Sequence, residues 1–230
     1  MEPKVLFEDE AMVVIDKPAG MIVNRAQSVT AETIQDWFGK KYNIGEGEGE
    51  FYEKGGVVHR LDKDTSGVMV LAKTPEAYAK LKQQFLERQT RKRYVALVHG
   101  RLKEKEGIIT QPLMRHPRDR HKFTVGGEPA RAAITNWRVL EEREQPGPLT
   151  LLELEPHTGR THQLRVHLQY IGHPIVSDPI YGWAKKVGND FVWCPRLFLH
   201  AKYLEFTHPT TGKKVSFESD LPAELASVLH

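Results

Sequence analysis

A short polar loop enclosed by two apolar segments constrains this chain more than any other stretch. The loop is His59–Gly67, which reads His-Arg-Leu-Asp-Lys-Asp-Thr-Ser-Gly, and it is followed by the apolar run Val68–Ala72. Valine-rich runs of this length are typical of buried strands, and Val57–Val58 before the loop has the same character. The sequence therefore predicts a polar loop between two buried strands, where a rigid scaffold can present a reactive side chain.

The ordinary interpretation of such a loop is a turn whose charges are solvated. Two features of this loop favour a functional role instead. Thr65 and Ser66 supply hydroxyl groups, and Gly67 supplies a flexible backbone, beside two carboxylates. The loop also belongs to a longer pattern, which is described below.

The composition places the chain among ordinary globular proteins. It has 230 residues, of which 40% are hydrophobic and 27% are charged. Its single cysteine, Cys194, excludes an internal disulfide framework and a cysteine-based zinc cluster. No apolar segment reaches membrane-spanning length, and the first residues have no apolar core of a signal peptide. We therefore predict a cytoplasmic protein that does not enter a membrane.

The charge is distributed unevenly along the chain. The formal net charge is only +3, but residues 80–122 contain 13 lysines and arginines against 4 acidic residues. A concentrated basic stretch on a nearly neutral protein is the pattern expected of a surface that binds a phosphate backbone. A solvated charged face is the competing interpretation of this stretch by itself.

Most of the chain is predicted to form short strands. Apolar or alternating stretches predict strands at Val5–Phe7, Met12–Ile15, Lys92–Gly100, Ala130–Val139, Leu149–Glu155, Arg196–Phe206 and Val215–Phe217. Asp16–Gly20 interrupts the second of these strands, and Met21–Val23 is predicted to resume it.

Three helices follow from apolar spacing and end signals. Thr30–Tyr42 is predicted to be helical with Thr30 as the N-cap, and a second helix starts at Thr74 with Pro75 in its first turn and ends near Thr90. Leu221–Leu229 is predicted as a short closing helix.

Between the predicted strands lies a basic segment that is unlike its surroundings. Residues 114–122 contain Arg115, Arg118, Arg120 and Lys122, with a proline and almost no apolar residue. We predict a long hairpin-like loop that projects from the sheet. With so little apolar content, the segment is not expected to fold onto the core, and its charges are not expected to be structural.

The second long motif is Pro156–Pro174, which reads Pro-His-Thr-Gly-Arg-Thr-His-Gln-Leu-Arg-Val-His-Leu-Gln-Tyr-Ile-Gly-His-Pro. Part of it is predicted to be a helix with a core stripe of Leu164, Leu168 and Ile171. Arg165 borders that stripe. An arginine so close to a buried face needs a partner, and a carboxylate is the partner that the sequence predicts.

Four histidines in this motif raise the possibility of a metal site. His157, His162 and His167 are five residues apart, and a step of five turns a helix by about 140°, so neighbours in this series do not share a face. A strand alternates its faces with period two and does not bring them together either. The sequence therefore predicts no metal ligands here.

Together the two motifs resemble the RluA-type pseudouridine synthases. That family carries His-Arg-Leu-Asp-x-x-Thr-Ser-Gly, with Ala-Lys at the end of the next strand, and the pattern is complete from His59 to Lys73. The resemblance implies that Asp62, rather than Asp64, is the catalytic aspartate. It also implies an active-site tyrosine at Tyr94, in a basic-x-Tyr-x-Ala strand, and places Arg165 beside Asp62.

The resemblance extends from Val13 to Leu221, with two departures. Asn24 stands where the family usually has histidine, and Ser177 stands where glycine is usual. By itself, an alternating-strand tyrosine such as Tyr94 is more often a packing residue. Its predicted role therefore depends on the resemblance.

The resemblance implies an α+β fold with a mixed, largely antiparallel central sheet and flanking helices. It implies one catalytic domain over residues 1–230, without the N-terminal S4-type RNA-binding module that many relatives carry. The implied reaction is the isomerisation of a uridine in rRNA or tRNA to pseudouridine, without a cofactor. We expect a monomer that binds a stem-loop and flips the uridine out of it. Arg60 is expected to fill the vacated position or to grip a phosphate, while the basic residues of 115–122 hold the RNA backbone.

Two other functions remain open at this point. A carboxylate glycosidase could use Asp62 and Asp64, although side chains two residues apart rarely bracket a sugar. The other possibility is an RNA-binding domain without catalytic activity. The presence of Asp62, Tyr94 and Arg165 together favours the isomerase.

Overall fold

The computed structural model describes residues 2–27 and 29–230. The chain divides into two compact units, and each is described by itself. Unit 1 contains the residues up to Arg91 together with Ala201–Asp220, and unit 2 contains Lys92–His200 and Leu221–His230. That the whole chain acts as one catalytic domain stays a prediction.

The structure confirms the predicted α+β class, with mostly antiparallel strands and few helices. The strands are β1 (Lys4–Glu8), β2 (Met12–Lys17), β3 (Ser66–Ala72), β4 (Arg91–His99), β5 (Glu106–Ile109), β6 (Leu113–Arg115), β7 (Phe123–Val125), β8 (Thr135–Arg143), β9 (Leu149–Pro156), β10 (Leu199–Thr207) and β11 (Lys214–Glu218). The helices are α1 (Ile34–Lys41), α2 (Glu50–Lys54), α3 (Pro75–Leu86), α4 (Gln163–Tyr170), α5 (Ala184–Trp193) and α6 (Ala223–Ala226), and a 3₁₀ turn follows at Ser227–Leu229.

The sheet of unit 1 has β3 near its centre. β2 pairs with β3 in antiparallel register from Met12 opposite Ala72 to Lys17 opposite Gly67, and β1 pairs with the outer side of β2. The part of β10 that belongs to unit 1 lies next to β3, and β11 pairs with β10 in antiparallel register. Every residue of β3 is buried, which explains why this strand shows an unbroken apolar run rather than alternation.

Unit 2 is built on the strand order β4, β9, β8, β5, with antiparallel pairing throughout. Leu164 and Leu168 of α4 pack in its main apolar cluster with residues of β4 and β9, which confirms the stripe predicted from helical spacing. The strands β6 and β7 form a separate two-stranded hairpin, as the basic segment predicted.

Helix α1 begins later than the sequence predicts. The N-cap is Thr33 rather than Thr30: its hydroxyl accepts from the Asp36 amide at 3.1 Å, and the Asp36 carboxylate accepts from the Thr33 amide at 2.9 Å. This reciprocal pair is a capping box, which satisfies amides that the helix itself leaves unpaired.

The predicted strand at Met21–Val23 is wrong, because its backbone groups pair with a helix. The carbonyls of Ile22 and Val23 accept from the amides of Ile34 and Gln35, which are the first two residues of α1. This segment therefore binds the start of a helix instead of a neighbouring strand.

Two helices were not predicted, and each lacks the usual pattern. Helix α2 has only five residues, too few to show a period. Helix α5 buries only Asp190, which bonds to His99 at 2.8 Å, whereas Phe191 and Val192 are exposed. Trp193 at its end packs against the main apolar cluster, but the exposed Phe191 and Val192 obscure the helical pattern in the sequence.

The remaining predicted elements are present with shifted ends. Helix α3 has the predicted Thr74 cap, whose hydroxyl accepts from the Ala77 amide, but it ends at Leu86. Strand β8 starts at Thr135 and β10 at Leu199, each a few residues later than expected.

The α1 cap gives a direct test of the fold. Thr33→Ala removes the hydroxyl of the capping box and should lower the free energy of unfolding by about 1 kcal/mol. Thr30→Ala is the matched control, because Thr30 is exposed and outside the helix, and its stability should stay within about 0.5 kcal/mol of the parent. Urea unfolding of both variants measures this. Equal losses from the two substitutions would contradict the assigned cap.

Candidate active site

The loop that carries Asp62 is fixed by buried neighbours in unit 1. Leu61 and Thr65 are 4% and 2% exposed, whereas Asp62 is only half-buried. The Thr65 amide donates to the Asp62 carbonyl at 3.2 Å, which closes a turn over Lys63 and Asp64. The carboxylate therefore projects from a loop whose two sides are anchored in the fold.

The ammonium group of Lys17 holds this loop through the backbone. Lys17 has no exposed surface, and its Nζ donates to the carbonyls of Pro18, Met21 and Lys63 at 2.8, 2.9 and 3.1 Å. The Gly20 amide donates to the same Lys63 carbonyl at 2.8 Å. One buried cation thus joins the Lys-Pro-Ala-Gly turn to the residue that follows Asp62.

The sequence identifies Asp16–Gly20 only as a structural turn, and the link to the Asp62 loop was missed. The available signal was a lysine that continues the apolar strand β2. If such a lysine is buried, it must have hydrogen-bond partners. Which carbonyls it would find depends on the fold and is not visible in the sequence.

His59, the first residue of the motif, is bound within unit 1. Its Nε2 accepts from the Val70 amide of β3 at 3.1 Å, and its ring stacks on Phe85 of α3 with 4.3 Å between centroids. These contacts tie the start of the loop to a strand and a helix.

Gly67 has a steric role at the other end of the loop. Its φ is +118°, and a Cβ atom there would lie 2.2 Å from the Ala201 carbonyl oxygen. No side chain fits such a close approach of two backbones, so glycine is required where β3 leaves the loop.

Tyr94 lies on β4 of unit 2, opposite Leu154 of β9. The tyrosine is half-buried and packs against the main apolar cluster of this unit. The neighbouring Arg93 lies 3.7 Å from the Glu153 carboxylate. The structure thus shows the packing that a strand tyrosine usually provides, and its catalytic role stays a prediction.

Arg165 is buried and forms a two-pronged ion pair with Asp178. The Nε–Oδ2 and Nη2–Oδ1 distances are 2.8 and 2.7 Å, and the residues are 2% and 0% exposed. A parallel pair of charge-assisted hydrogen bonds fixes the plane of the guanidinium as well as its position. The predicted carboxylate partner of Arg165 therefore exists within unit 2. A contact between Arg165 and Asp62 stays a prediction.

Asp178 is held in turn by the backbone. Its Oδ1 accepts from the amides of Ile180 and Tyr181, both at 2.9 Å. With the two bonds from Arg165, the carboxylate accepts four hydrogen bonds, which offset the cost of its complete burial.

The structure explains the departure at Ser177. This serine has φ of +55°, in the left-handed region where glycine is the usual choice. Its hydroxyl donates to the Cys194 carbonyl at 2.7 Å, and this bond offsets part of the conformational cost. The backbone that presents Asp178 is thus the one that glycine normally allows.

Gln163 organises the turn before α4. Its Oε1 accepts from the Thr158 hydroxyl at 2.7 Å and from the Arg160 amide at 3.1 Å, and its Nε2 donates to the Ile134 carbonyl at 3.0 Å. The motif residues Thr158 and Gln163 therefore hold the Thr-Gly-Arg turn against the segment that leads into β8.

The motif histidines have separate hydrogen-bond partners. His162 Nδ1 lies 2.8 Å from the Tyr181 hydroxyl, His167 bonds to Thr135 and to the Gln111 carbonyl, and His173 bonds to the His99 carbonyl. Burial lowers the pKa of His167 below its ordinary value. Across residues 2–27 and 29–230, no three histidine, cysteine or acidic side chains are grouped so as to hold a metal ion.

The basic residues between β6 and β7 lie at the tip of the hairpin. Arg118 and Arg120 are exposed, and Lys122 is partly exposed with its Nζ 3.8 Å from Asp119. The tip is ordered by backbone bonds, since the His116 amide donates to the Lys122 carbonyl at 2.9 Å. A hydrogen-bonded turn thus presents cationic side chains to solvent.

Arg115 is an exception to the expectation that these charges are not structural. Its guanidinium donates to the Arg120 carbonyl and lies 5.2 Å from the centroid of the Phe123 ring. Arg115 therefore helps to close the hairpin, and the expectation was wrong for this residue.

The predicted site residues fall in both units. Asp62 and Arg60 belong to unit 1, with Arg60 exposed, whereas Tyr94, Arg165 and the basic hairpin belong to unit 2. Within unit 2 the structure joins the hairpin to the surroundings of Arg165. The assembly of Asp62 with Tyr94 and Arg165 stays a prediction.

Comparison with known proteins identifies the class. The family model for RNA pseudouridylate synthase matches residues 11–170, which include both the Asp62 loop and the Arg165 helix. The chain therefore belongs to the RNA pseudouridylate synthase family.

Relatives and solved structures agree with this assignment. The chain is 42% identical over 98% of its length to the ribosomal large subunit pseudouridine synthase D of Nitrosomonas europaea, and 36% identical over its whole length to the uncharacterized RNA pseudouridine synthase YlyB of Bacillus subtilis. The human RNA pseudouridylate synthase domain containing 1 superposes with a TM-score of 0.78 at 28% identity, over 98% of this chain and 87% of that one. The chain spans 64% of the Nitrosomonas protein and 72% of the Bacillus protein.

Among the helices that the structure describes, none has the length and apolarity needed to cross a membrane.

The Lys17 anchor can be tested by stability. Lys17→Met keeps most of the buried stem but removes the donor to three carbonyls, and should lower the free energy of unfolding by at least about 2 kcal/mol. Lys63→Met is the control, because Lys63 is exposed and contributes only its carbonyl to the anchor. Its stability should change by less than about 0.5 kcal/mol. Urea unfolding at one pH compares them, and a Lys17→Met protein as stable as the parent would rule out the anchoring role.

Proposed function

We propose that this protein isomerises a uridine in RNA to pseudouridine and uses Asp62 as the catalytic carboxylate. The observation that carries the proposal is the family match over residues 11–170, within which the Asp62 loop is complete. The local structure supports it: Asp62 is accessible while both ends of its loop are anchored.

The reaction breaks the bond between C1′ of the ribose and N1 of the uracil. The base then turns, and C5 forms a new bond to C1′, while the proton on C5 is lost and N1 gains one. Except for this exchange of protons, the nucleotide keeps all of its atoms. The reaction therefore consumes no electron acceptor and no second substrate. A carboxylate close to the sugar can act as a nucleophile at C1′ or as a base at the ribose.

Asp62 would supply that carboxylate, and Arg165 would stabilise its ionised form. An arginine close to a carboxylate favours the charged state of the acid. Tyr94 would stack on the flipped base and assist removal of the C5 proton. Access to C1′ requires that the uridine leave its stack, and Arg60 would occupy the gap or bind a neighbouring phosphate.

The basic hairpin would bind the RNA backbone through Arg115, Arg118, Arg120 and Lys122. Contacts to phosphates position a nucleic acid without reading its sequence, and they give most of the salt dependence of binding. The exposure of Arg118 and Arg120 at the tip of an ordered turn supports this role.

We infer that the RNA is ribosomal. The support is the name of the Nitrosomonas relative, a synthase of the large ribosomal subunit, at 42% identity. A stem-loop of that RNA is the simplest substrate from which a uridine can be flipped, and tRNA is the alternative. Comparing pseudouridine maps of total RNA with and without the gene identifies the position. Action as a monomer in the cytoplasm stays a prediction from the sequence.

The central prediction concerns two aspartates of one loop. Asp62→Asn keeps the size of the side chain but removes the carboxylate, so turnover should fall by at least about a thousandfold while RNA affinity largely survives. Asp64→Asn is the matched control and should retain most of the activity. The measurement uses RNA tritiated at C5 of uridine, since the reaction releases this hydrogen.

Two results would contradict this assignment. If Asp64→Asn lost activity and Asp62→Asn kept it, Asp64 rather than Asp62 would be the catalytic aspartate. Release of free uracil instead of pseudouridine would indicate a glycosidase.

A second prediction concerns the hairpin tip. Replacing Arg118 and Arg120 by alanine should leave thermal stability nearly unchanged, because exposed charges contribute little to folding. RNA affinity should fall, and the slope of log K against log salt should flatten by about one unit for each phosphate that the variant no longer binds.

The control removes the same charge from another surface. Lys213→Ala with Lys214→Ala changes two exposed lysines of unit 1 and should leave the salt slope as it is in the parent. Titrations of labelled RNA at several salt concentrations decide the matter. An identical slope for the parent and the hairpin variant would show that the tip does not touch RNA.

A further inference from the structure

Tyr181 is a fully buried aromatic residue that the reaction itself does not use. It is 2% exposed and belongs to the turn that carries Asp178. Its side chain and its backbone contact two different parts of unit 2. One part is the basic hairpin, and the other is the ion pair of Arg165.

The hydroxyl of Tyr181 contacts the hairpin. The Phe123 amide, at the first residue of β7, donates to this oxygen at 2.9 Å, and His162 Nδ1 lies 2.8 Å from it. The ring packs in an apolar cluster with Leu113 of β6 and Val166 of α4, and Phe123 packs against this cluster. Both strands of the hairpin are thus seated on Tyr181, directly behind the cationic tip.

The other contacts of Tyr181 lead to the ion pair. The guanidinium carbon of Arg165 lies 5.0 Å from the centroid of the Tyr181 ring, within the range of a cation–π contact. The Tyr181 amide donates to Oδ1 of Asp178 at 2.9 Å, and the same oxygen accepts from Arg165. Tyr181 therefore touches both members of the pair.

We propose that Tyr181 is a positioning residue that couples RNA binding at the hairpin to the orientation of Arg165. The inference rests on the proposed function, since it takes the hairpin as an RNA contact and Arg165 as a group of the active site. RNA that binds the tip holds β7 against the Tyr181 hydroxyl. Through the ring and the Asp178 turn, this contact reinforces the ion pair, so the guanidinium spends a larger fraction of time in the orientation that the structure shows.

The chemistry of the side chain explains why tyrosine suits this position. A phenylalanine would fill the same space and keep the contact with Arg165, but it would leave the Phe123 amide and His162 without the shared oxygen. The buried hydroxyl bonds to both Phe123 and His162, so it links β7 to the residue before α4 by hydrogen bonds as well as by packing. The coupling therefore resides in one oxygen atom, which a single substitution removes.

The test compares Tyr181→Phe with Tyr170→Phe. Tyr170 is 50% exposed on α4, so the control removes the same atom from a solvated site. We expect Tyr181→Phe to lower kcat about tenfold, the scale of one buried hydrogen bond, with KM for RNA changed less than about threefold. Tyr170→Phe should leave both constants unchanged. A purely structural role would lower thermal stability but leave kcat of the folded protein at the parent value, and this result would overturn the proposal.

A double-mutant cycle tests the coupling itself. Arg118 and Arg120 are changed to alanine in the parent and in Tyr181→Phe, and kcat/KM is measured for all four proteins. If Tyr181 transmits the effect of RNA at the tip, the factor by which Tyr181→Phe lowers kcat/KM should be at least about threefold smaller in the protein that lacks the two arginines. Strictly additive effects would mean that Tyr181 and the hairpin act independently, and would overturn the proposal.

Hydrogen exchange separates this inference from the proposed function. Arg165→Lys keeps the charge but not the planar fork, and without RNA it should speed amide exchange at Phe123–Val125 relative to the parent. Unchanged exchange there would overturn the coupling even if the protein makes pseudouridine. If Arg165→Lys exchanges faster but the parent protein makes no pseudouridine, the coupling is kept and the proposed function is rejected. Because Arg165→Lys is read out on folded protein, the test holds even if Tyr181→Phe folds poorly.

Discussion

The ion pair of Arg165 and Asp178 is the interaction that links the candidate-site residues of unit 2 to one another. Two opposite charges are removed from water, which is costly unless each is fully bonded. The two parallel hydrogen bonds of the pair, and the amides that donate to Asp178, offset part of this cost. As a result, the end of α4 that carries Arg165, the turn at 177–182 and the hairpin seated on Tyr181 have fixed relative positions.

Unit 1 solves a similar problem with a cation and backbone carbonyls. Lys17 is as deeply buried as Asp178, and three carbonyl dipoles accept hydrogen bonds from its ammonium group. This arrangement holds two backbone segments together and leaves the neighbouring Asp62 accessible. A buried charge at each place thus serves to fix a loop rather than to add stability, because breaking such a contact costs more than forming it contributes.

The family motifs contain residues with a structural role as well as residues proposed to act in the reaction, and the structure shows the contacts of the first group. In the Asp62 loop, His59 is explained by its contacts to β3 and α3, and Gly67 by the close approach of two backbones. In the second motif, Thr158 and Gln163 hold a turn, and Ser177 adopts the backbone that presents Asp178. Asp62 is half-buried, and its catalytic role stays a proposal.

The sequence by itself determined the class of fold, the order of most elements and the two motifs that carry the candidate site. These follow from local rules: the apolar run of β3, the Thr74 cap of α3 and the stripe of α4 are properties of short segments. Tertiary structure alone decided that Ile22 and Val23 bind α1, that Lys17 reaches the Lys63 carbonyl and that Asp178 is a partner of Arg165. Each of these depends on groups that meet only after the chain has folded. No local pattern states which buried charge will find which distant oxygen, because that choice is made by desolvation and packing over the whole unit.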